Sequence, residues 1–263
     1  MLQTVIATKL SMSQGWTNTG KRVAITRCRV DNNVVIGTQP APEVRKDQTV
    51  LEIGFGVRKL KNMSKPLQGR IAKGGFKLGV KGIKGVRVTA EEGQELPKIG
   101  DKIVVENVLE VGDVVQVQGT TKGRGFAGAI KRHGFSGGPK THGQSDRERA
   151  VGSIGAGTFP GHVWKGKKMP GHYGVDVKTV SGLVVLHVDP STQEVWLSGP
   201  VPGSISGIVT ISKTGKRKEV QLDKQASGVA EIAATEEPII EESKTEEAEI
   251  TTENIKEKQA EAK

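Results

Sequence analysis

The stretch Asp113-Val114-Val115-Gln116-Val117-Gln118 decides how the chain is read. Its valines approach alternation with polar residues, the period of two of a strand with one buried face. The next run of this kind, Val175–Val188, contains Leu183-Val184-Val185-Leu186, and the turn residues Asp189-Pro190-Ser191-Thr192 follow it. Two strands are thus joined by 59 residues, Thr120–Lys178, that keep neither the strand nor the helix period. Connections beyond about 12–15 residues are uncommon in compact domains, and those that occur are functional or disordered. Disorder alone fits poorly, because Phe126, Phe135, Phe159, Trp164 and Tyr173 would be wasted on it.

Outside this connection the chain reads as short strands. Glu194–Ser198 and Ser204–Ile211 lie downstream; Thr4–Thr8, Arg22–Val30, Asn33–Gly37 and Val50–Phe55 lie upstream. Almost no stretch shows a sustained helical period with caps. Short strands punctuated by Gly and Pro indicate a mainly β domain, a small barrel. Composition narrows the class. The 263 residues hold 35 Gly without a period of three and only 11 Pro, which excludes a collagen-like chain. The single Cys28 excludes a disulfide scaffold and fits a reducing compartment. Apolar runs are far short of a membrane span, and the N-terminus does not read as a signal peptide. A cytoplasmic protein without a membrane partner is the expectation.

The net charge of +10 averages unlike parts. From Gln225 to Lys263 there are 11 Glu and 4 Lys, a charge of −7, which leaves +17 on residues 1–224. The tail, residues 223–263, has too little apolar surface to offset the entropy of ordering and reads as disordered. A helix over Thr251–Ala262 is the alternative. Two basic segments stand out in the body. Val57–Arg87 has ten Lys or Arg and no acid, with Arg58, Lys59, Lys61, Arg70, Lys73, Lys77, Lys81 and Lys84 as its candidate RNA contacts. A merely solvated face is the alternative for this segment. Thr120–Lys178 has 11 basic against three acidic residues, with 14 Gly and four His.

Basic groups neutralise phosphates, glycines admit close backbone approach, and aromatic rings stack on bases or wedge into folded RNA. The candidate phosphate contacts are Lys122, Arg124, Lys131, Arg132, Lys140, Arg147, Arg149, Lys165, Lys167 and Lys168, and His133, His142 and His172 are candidate polar contacts to RNA. Trp164, Phe159 and Phe126 either meet RNA or pack on the barrel; the sequence leaves both open. Other chemistry fits less well. Gly123-Arg124-Gly125-Phe126-Ala127-Gly128 matches G-x-G-x-x-G, but Lys131-Arg132-His133-Gly134 and Ser136-Gly137-Gly138-Pro139 cut short the helix that a dinucleotide site needs. His133, His142, His162 and His172 lack the close pairing of zinc ligands, so no metal is expected. No nucleophile or paired carboxylates cluster in one motif, so neither an enzyme nor a cofactor is expected.

The run Gly119-Thr120-Thr121-Lys122-Gly123-Arg124-Gly125-Phe126-Ala127-Gly128, continued by Lys131-Arg132-His133-Gly134-Phe135, resembles large-subunit ribosomal protein three of the bacterial type. So do Thr141-His142-Gly143-Gln144-Ser145, Gly152-Ser153-Ile154-Gly155, Pro160-Gly161, Val163-Trp164-Lys165-Gly166-Lys167-Lys168-Met169, Gly171-His172 and the later Gly199-Pro200-Val201-Pro202-Gly203. The resemblance runs from about residue 1 to 213 and is strongest over 119–203. It implies a six-stranded translation-protein-type β-barrel formed by residues 1–119 and 179–222, with 120–178 as an inserted rRNA-penetrating loop. It implies a primary binder of 23S-type ribosomal RNA near its 3′ end that helps nucleate subunit assembly. It places the loop tip, Ala156, Gly157, Thr158 and Phe159, toward the peptidyl transferase centre, and the fourteenth and nineteenth large-subunit proteins as neighbours, with no DNA partner. Thr158 stands where some bacterial members carry a methylated Gln, so that modification should be absent. Phe159, His162, Pro170, Tyr173 and Val175 also depart from the family pattern.

Overall fold

The computed structural model describes residues 2–40, 48–76, 78–89 and 97–223. The acidic tail beyond Asp223, with its expected disorder and alternative helix, lies outside the described residues, as does Lys77. Along the chain, β1 (Thr4–Trp16), β2 (Arg22–Arg29), β3 (Asn33–Pro40) and β4 (Gln48–Phe55) precede α1 (Lys65–Lys73). Next come β5 (Gly82–Thr89), β6 (Lys102–Ile103) and β7 (Asp113–Thr120). The long connection contains β8 (Phe126–Ala127), α2 (Ala129–His133) and β9 (Gly171–His172), and β10 (Val177–Asp189), β11 (Glu194–Ser198) and β12 (Ile208–Arg217) follow.

Hydrogen bonds link six strands in a ring, β1-β12-β7-β10-β11-β2, with every pair antiparallel. The alternation in β7 produces its burial: Val115, Val117 and Gly119 are buried, while Gln116, Gln118 and Thr120 are exposed. In β1 the consecutive Val5, Ile6 and Ala7 are all buried. Neighbours along a strand point to opposite faces, so β1 is covered on both sides. A second sheet, in the order β5-β4-β3-β6, supplies Val35, Leu51, Ile53, Val86, Val88 and Ile103 to the same core as Val5, Val117, Val185 and Ile211 of the ring. Asn33 Nδ2 donates to Ile6 O at 3.0 Å and Lys84 Nζ to Thr210 Oγ1 at 2.6 Å, which tie this sheet to the ring. Truncating a fully buried member such as Ile211 to Ala costs about 2–5 kcal/mol.

The mainly β expectation agrees with this arrangement, but residues 1–119 and 179–222 do not make up the one six-stranded translation-protein-type barrel that was expected of them. Among the described residues of 33–103 no strand joins the six-strand ring; β3, β4, β5 and β6 form a separate four-stranded sheet. The ladders of the ring are themselves interrupted, with register shifts between Lys9 and Met12, Val180 and Leu183, Val185 and His187, and Lys213 and Arg217. The reason is local: β4 pairs with its chain neighbours β3 and β5, so the upstream strands close on themselves. β5 carries Gly82, Lys84, Gly85 and Arg87, which dilute the apolar alternation that marks a strand. α1 is likewise absent from the sequence reading. Pro66 stands in its first turn, and Ile71 is its one fully buried side chain, packed with Ile36 and Val80. One buried residue in nine is too little to show a period.

Candidate nucleic-acid interface

The long connection leaves the ring as a continuation of the ring's own ladder. β7 and β10 pair as far as Thr120 opposite Val177. Beyond them, Thr121 N donates to Asp176 O at 2.9 Å, Arg124 N to Tyr173 O at 2.8 Å and Tyr173 N to Gly125 O at 2.9 Å. β8 then pairs with β9, Phe126 opposite His172 and Ala127 opposite Gly171. The result is a two-stranded stalk bearing residues 128–170. Its irregular point is Gly174, at φ +84°, where a Cβ would run into Lys122 O and lie 2.9 Å from Gly123 Cα. The next residue, Val175, is also left-handed at φ 58°, a strained conformation for a β-branched side chain. Arg124 lies 4.8 Å from the centre of the Tyr173 ring, bracing the two sides of the stalk.

Past the stalk, α2 is five residues long and stops at Gly134, which is left-handed at φ 75°. That early stop matches the reading of Lys131-Arg132-His133-Gly134 and leaves no long helix for a dinucleotide. Arg132 Nη1 donates to Met169 O at 2.8 Å, and His133 Nε2 lies 3.1 Å from the same carbonyl. Both side chains are half-buried and tie the outgoing strand to the returning one. Gly138 N donates to Glu148 O at 2.8 Å, which folds residues 138–148 into a second turn-back.

The other expected contacts in the connection face outward. Lys122, Arg124, Lys131, Lys140, Arg147, Arg149, Lys165, Lys167 and Lys168 are exposed, as are His142 and His172 and the four tip residues Ala156–Phe159. The closest ion pair among them is Lys140 to Glu148 at 3.9 Å, of a surface kind worth about 0–1 kcal/mol. Phe159 is 89% exposed, Phe126 81% and Trp164 64%. All three rings thus stand clear of the ring of strands in this arrangement. His162 braces the tip, with Nδ1 3.1 Å from Pro160 O and its ring 6.0 Å from that of Trp164.

The basic segment 57–87 is used differently. Arg58, Lys59, Lys61, Lys73 and Lys81 are exposed. Arg70 is ion-paired with Glu52. Lys84 is half-buried against the ring, where burial pushes its ammonium below its ordinary pKa.

Sequence reasoning missed three charged groups of the ring, one of which lies at the base of the stalk. Lys9 is buried, and its Nζ donates to Val201 O at 2.7 Å and Gly203 O at 3.2 Å. It fastens the turn Gly199–Gly203, whose last residue lies against Thr120 O at the root of the stalk. Burial lowers the Lys9 pKa and pushes the neighbouring Cys28 thiol up to about 12. Asp113, fully buried at the start of β7, accepts from Lys213 Nζ at 2.8 Å and Arg217 Nε at 3.2 Å. Glu194 accepts from Arg27 at 2.7 Å and Arg29 at 3.0 Å. Burial opposes ionisation of Glu194, but these hydrogen bonds outweigh it and hold the carboxyl below its usual range. The available signal was a lone charge inside or beside an apolar strand run.

An exposed set of cations with few carboxylate partners, together with exposed aromatic rings on a braced stalk, has the chemistry to grip a polyanion with stacked bases. A family model described as Ribosomal protein L3 matches residues 89–199. The large ribosomal subunit protein uL3 of Syntrophobacter fumaroxidans is 40% identical over 221 residues, covering 83% of this chain and 100% of that protein. The protein of the same name from Herpetosiphon aurantiacus is 38% identical over 216 residues, covering 82% of this chain and 98% of that protein.

Proposed function

The chain belongs to the ribosomal protein L3 family, and from that membership we propose that its inserted segment is the element that enters folded large-subunit RNA. As a member of the family it is a structural component of the large ribosomal subunit in the cytoplasm, binds ribosomal RNA in the service of translation, and is not an enzyme. The finer reading goes further. Residues 120–178 form the RNA-penetrating part, borne by a core drawn from 1–119 and 179–222. The protein is a primary binder of 23S-type RNA near its 3′ end and nucleates subunit assembly. Ala156–Phe159 point toward the peptidyl transferase centre, and the fourteenth and nineteenth large-subunit proteins lie alongside.

One observation carries this reading: the nine exposed Lys and Arg of the connection, from Lys122 to Lys168, have almost no carboxylate partners within the described chain. Like charges left unpaired repel one another, and a phosphate backbone relieves that repulsion while releasing its counterions. Arg132 and His133 act in this reading by bracing the loop through Met169 O. Specificity comes from the shape of the RNA and the fit of the glycine-rich backbone. Of the basic segment 57–87, Arg58, Lys59, Lys61 and Lys73 remain as auxiliary contacts.

Deleting residues Thr120–Lys178 and footprinting the product on large-subunit RNA tests the proposal. A folded core that has lost specific protection of the RNA is the expected result. Unchanged protection overturns it.

A further inference from the structure

The second sheet has two edges, and they differ in a way that bears on partners. On one side β3 is bulged between Val35 and Gly37, ends at Pro40, pairs with only two residues of β6, and is crossed by Gly100 and Asp101 bonding to Val35. A bulge, a proline and a covering loop are the ordinary devices that stop an edge from pairing further. On the other side β5 pairs with β4 through eight residues, Gly82 to Thr89, with no register shift and no proline. Among the described residues no backbone hydrogen bond joins β5 to any strand but β4. Alternate residues of an antiparallel strand turn both N–H and C=O away from the neighbour. β5 therefore carries a row of donors and acceptors that no other strand among the described residues takes up.

The row is also held in place. Val86 and Val88 are buried in the main core, Ile83 packs beneath α1, and Lys84 bonds Thr210 of β12 and Gln118 of β7. A strand fixed on one face loses little further entropy when a partner adds to its edge. The exposed side chains around it are cationic. Lys81 and Arg87 are exposed on either side of Gly85, itself exposed, and Arg58 is bridged to Gly79 just before the strand. The nearby Glu52 is occupied by Arg70 and Gln39.

We infer that the edge of β5 is a docking site for an extended, acid-rich segment of another protein, which adds to the sheet as a fifth strand. RNA meets only half of what the edge offers, because phosphates accept hydrogen bonds and cannot donate to its carbonyls. A basic segment is repelled by Lys81 and Arg87. An acidic strand satisfies both the ladder and the charge. This site lies apart from the inserted segment and does not depend on the reading of it.

The test uses the isotope-labelled full chain and an eight-residue peptide of alternating glutamate and valine. The same peptide N-methylated at alternate residues serves as control, and a short RNA duplex as competitor. The expected result is that the plain peptide perturbs the amide signals of residues 82–89 and slows their hydrogen exchange. The N-methylated peptide should do so about tenfold more weakly or not at all, since it lacks the ladder donors. Arg87→Glu should weaken the peptide by about tenfold while leaving the amides of Val115 and Val117 protected, which shows that the variant is folded. The inference is overturned if the plain peptide leaves residues 82–89 unperturbed, if N-methylation makes no difference, or if the RNA duplex occupies the edge and excludes the peptide.

Discussion

The ring of strands and the inserted segment are both rich in charge, and they treat it in opposite ways. The ring resolves its charges internally: Glu194 with Arg27 and Arg29, Asp113 with Lys213 and Arg217, Lys9 with the carbonyls of Val201 and Gly203. The inserted segment resolves few: Arg132 and His133 both reach the Met169 carbonyl, and Lys140 lies 3.9 Å from Glu148. Its hydrophobic groups follow suit. Ile211 and Val117 of the ring are fully buried, while Phe126, Phe159 and Trp164 are exposed. Charge density alone therefore does not separate the two regions; the share of their cations that meet a partner within the described chain does. Segment 57–87 lies between the two extremes, with Arg70 and Lys84 engaged and Arg58, Lys59 and Lys61 exposed.

The contrast can be broken by mutation, starting with the largest effect. Reversing Lys165, Lys167 and Lys168 to Glu together should weaken RNA binding by about a hundredfold or more and flatten its salt dependence, since each lost phosphate contact removes about 0.7–0.9 from the log–log slope. Reversing Arg58, Lys59 and Lys61 should do less. Equal losses in filter binding across a salt series would erase the distinction between the segments. Gly174→Val bridges the two regions. It forces a Cβ into Lys122 O at a left-handed position, with strain of about 1–3 kcal/mol, and should impair both the stalk and RNA binding. Faster hydrogen exchange at Arg124 and Tyr173 would report the damaged stalk, and unchanged rates would remove Gly174 from the account.

Glu194→Gln should lower stability by about 2 kcal/mol at neutral pH while leaving RNA affinity unchanged. The sign with pH follows from the depressed Glu194 pKa. Its contribution is complete above the ordinary carboxylate range and is lost as pH falls through the lower folded value. Urea denaturation of both proteins should therefore show the gap closing in acid; a gap that widens there would contradict the pairing. Trp164→Ala should cost about 1 kcal/mol or more in RNA binding, and stability should shift by no more than about 0.5 kcal/mol. A fall in stability instead would place Trp164 in the folded core. The smallest effect is expected at Cys28. With its thiol buried and raised to about 12, it should resist thiol reagents at pH 8 until the chain is unfolded. The same shift means its share of stability is complete below the ordinary thiol pKa and fades only as pH rises toward about 12. Rapid modification of the native protein would refute the burial.

The strand pattern of β1, β2, β7, β10, β11 and β12 was largely legible, because alternation in a half-buried strand is a local property of the residues that make it. The placement and charge of the inserted segment were legible for the same reason, since a long glycine-rich, basic connection between two strong strands stands out in one dimension. β5, β6 and α1 were not, because glycine and lysine obscure a period that only burial against other elements makes meaningful. Strand pairing was less legible than strand position. Residue patterns identify strands, but which strands share a ladder depends on partners far apart in the chain. The pairing of β1 with β12 and the self-closure of β3, β4 and β5 appear only in three dimensions. The same holds for function. Sequence alone determined that the chain carries +17 over its first 224 residues and concentrates 11 basic groups in one connection. Only the tertiary structure decided which of those groups are used up, as Arg132 is on Met169 O, and which face solvent. A cation's availability depends on what folds against it, and no neighbour in sequence records that.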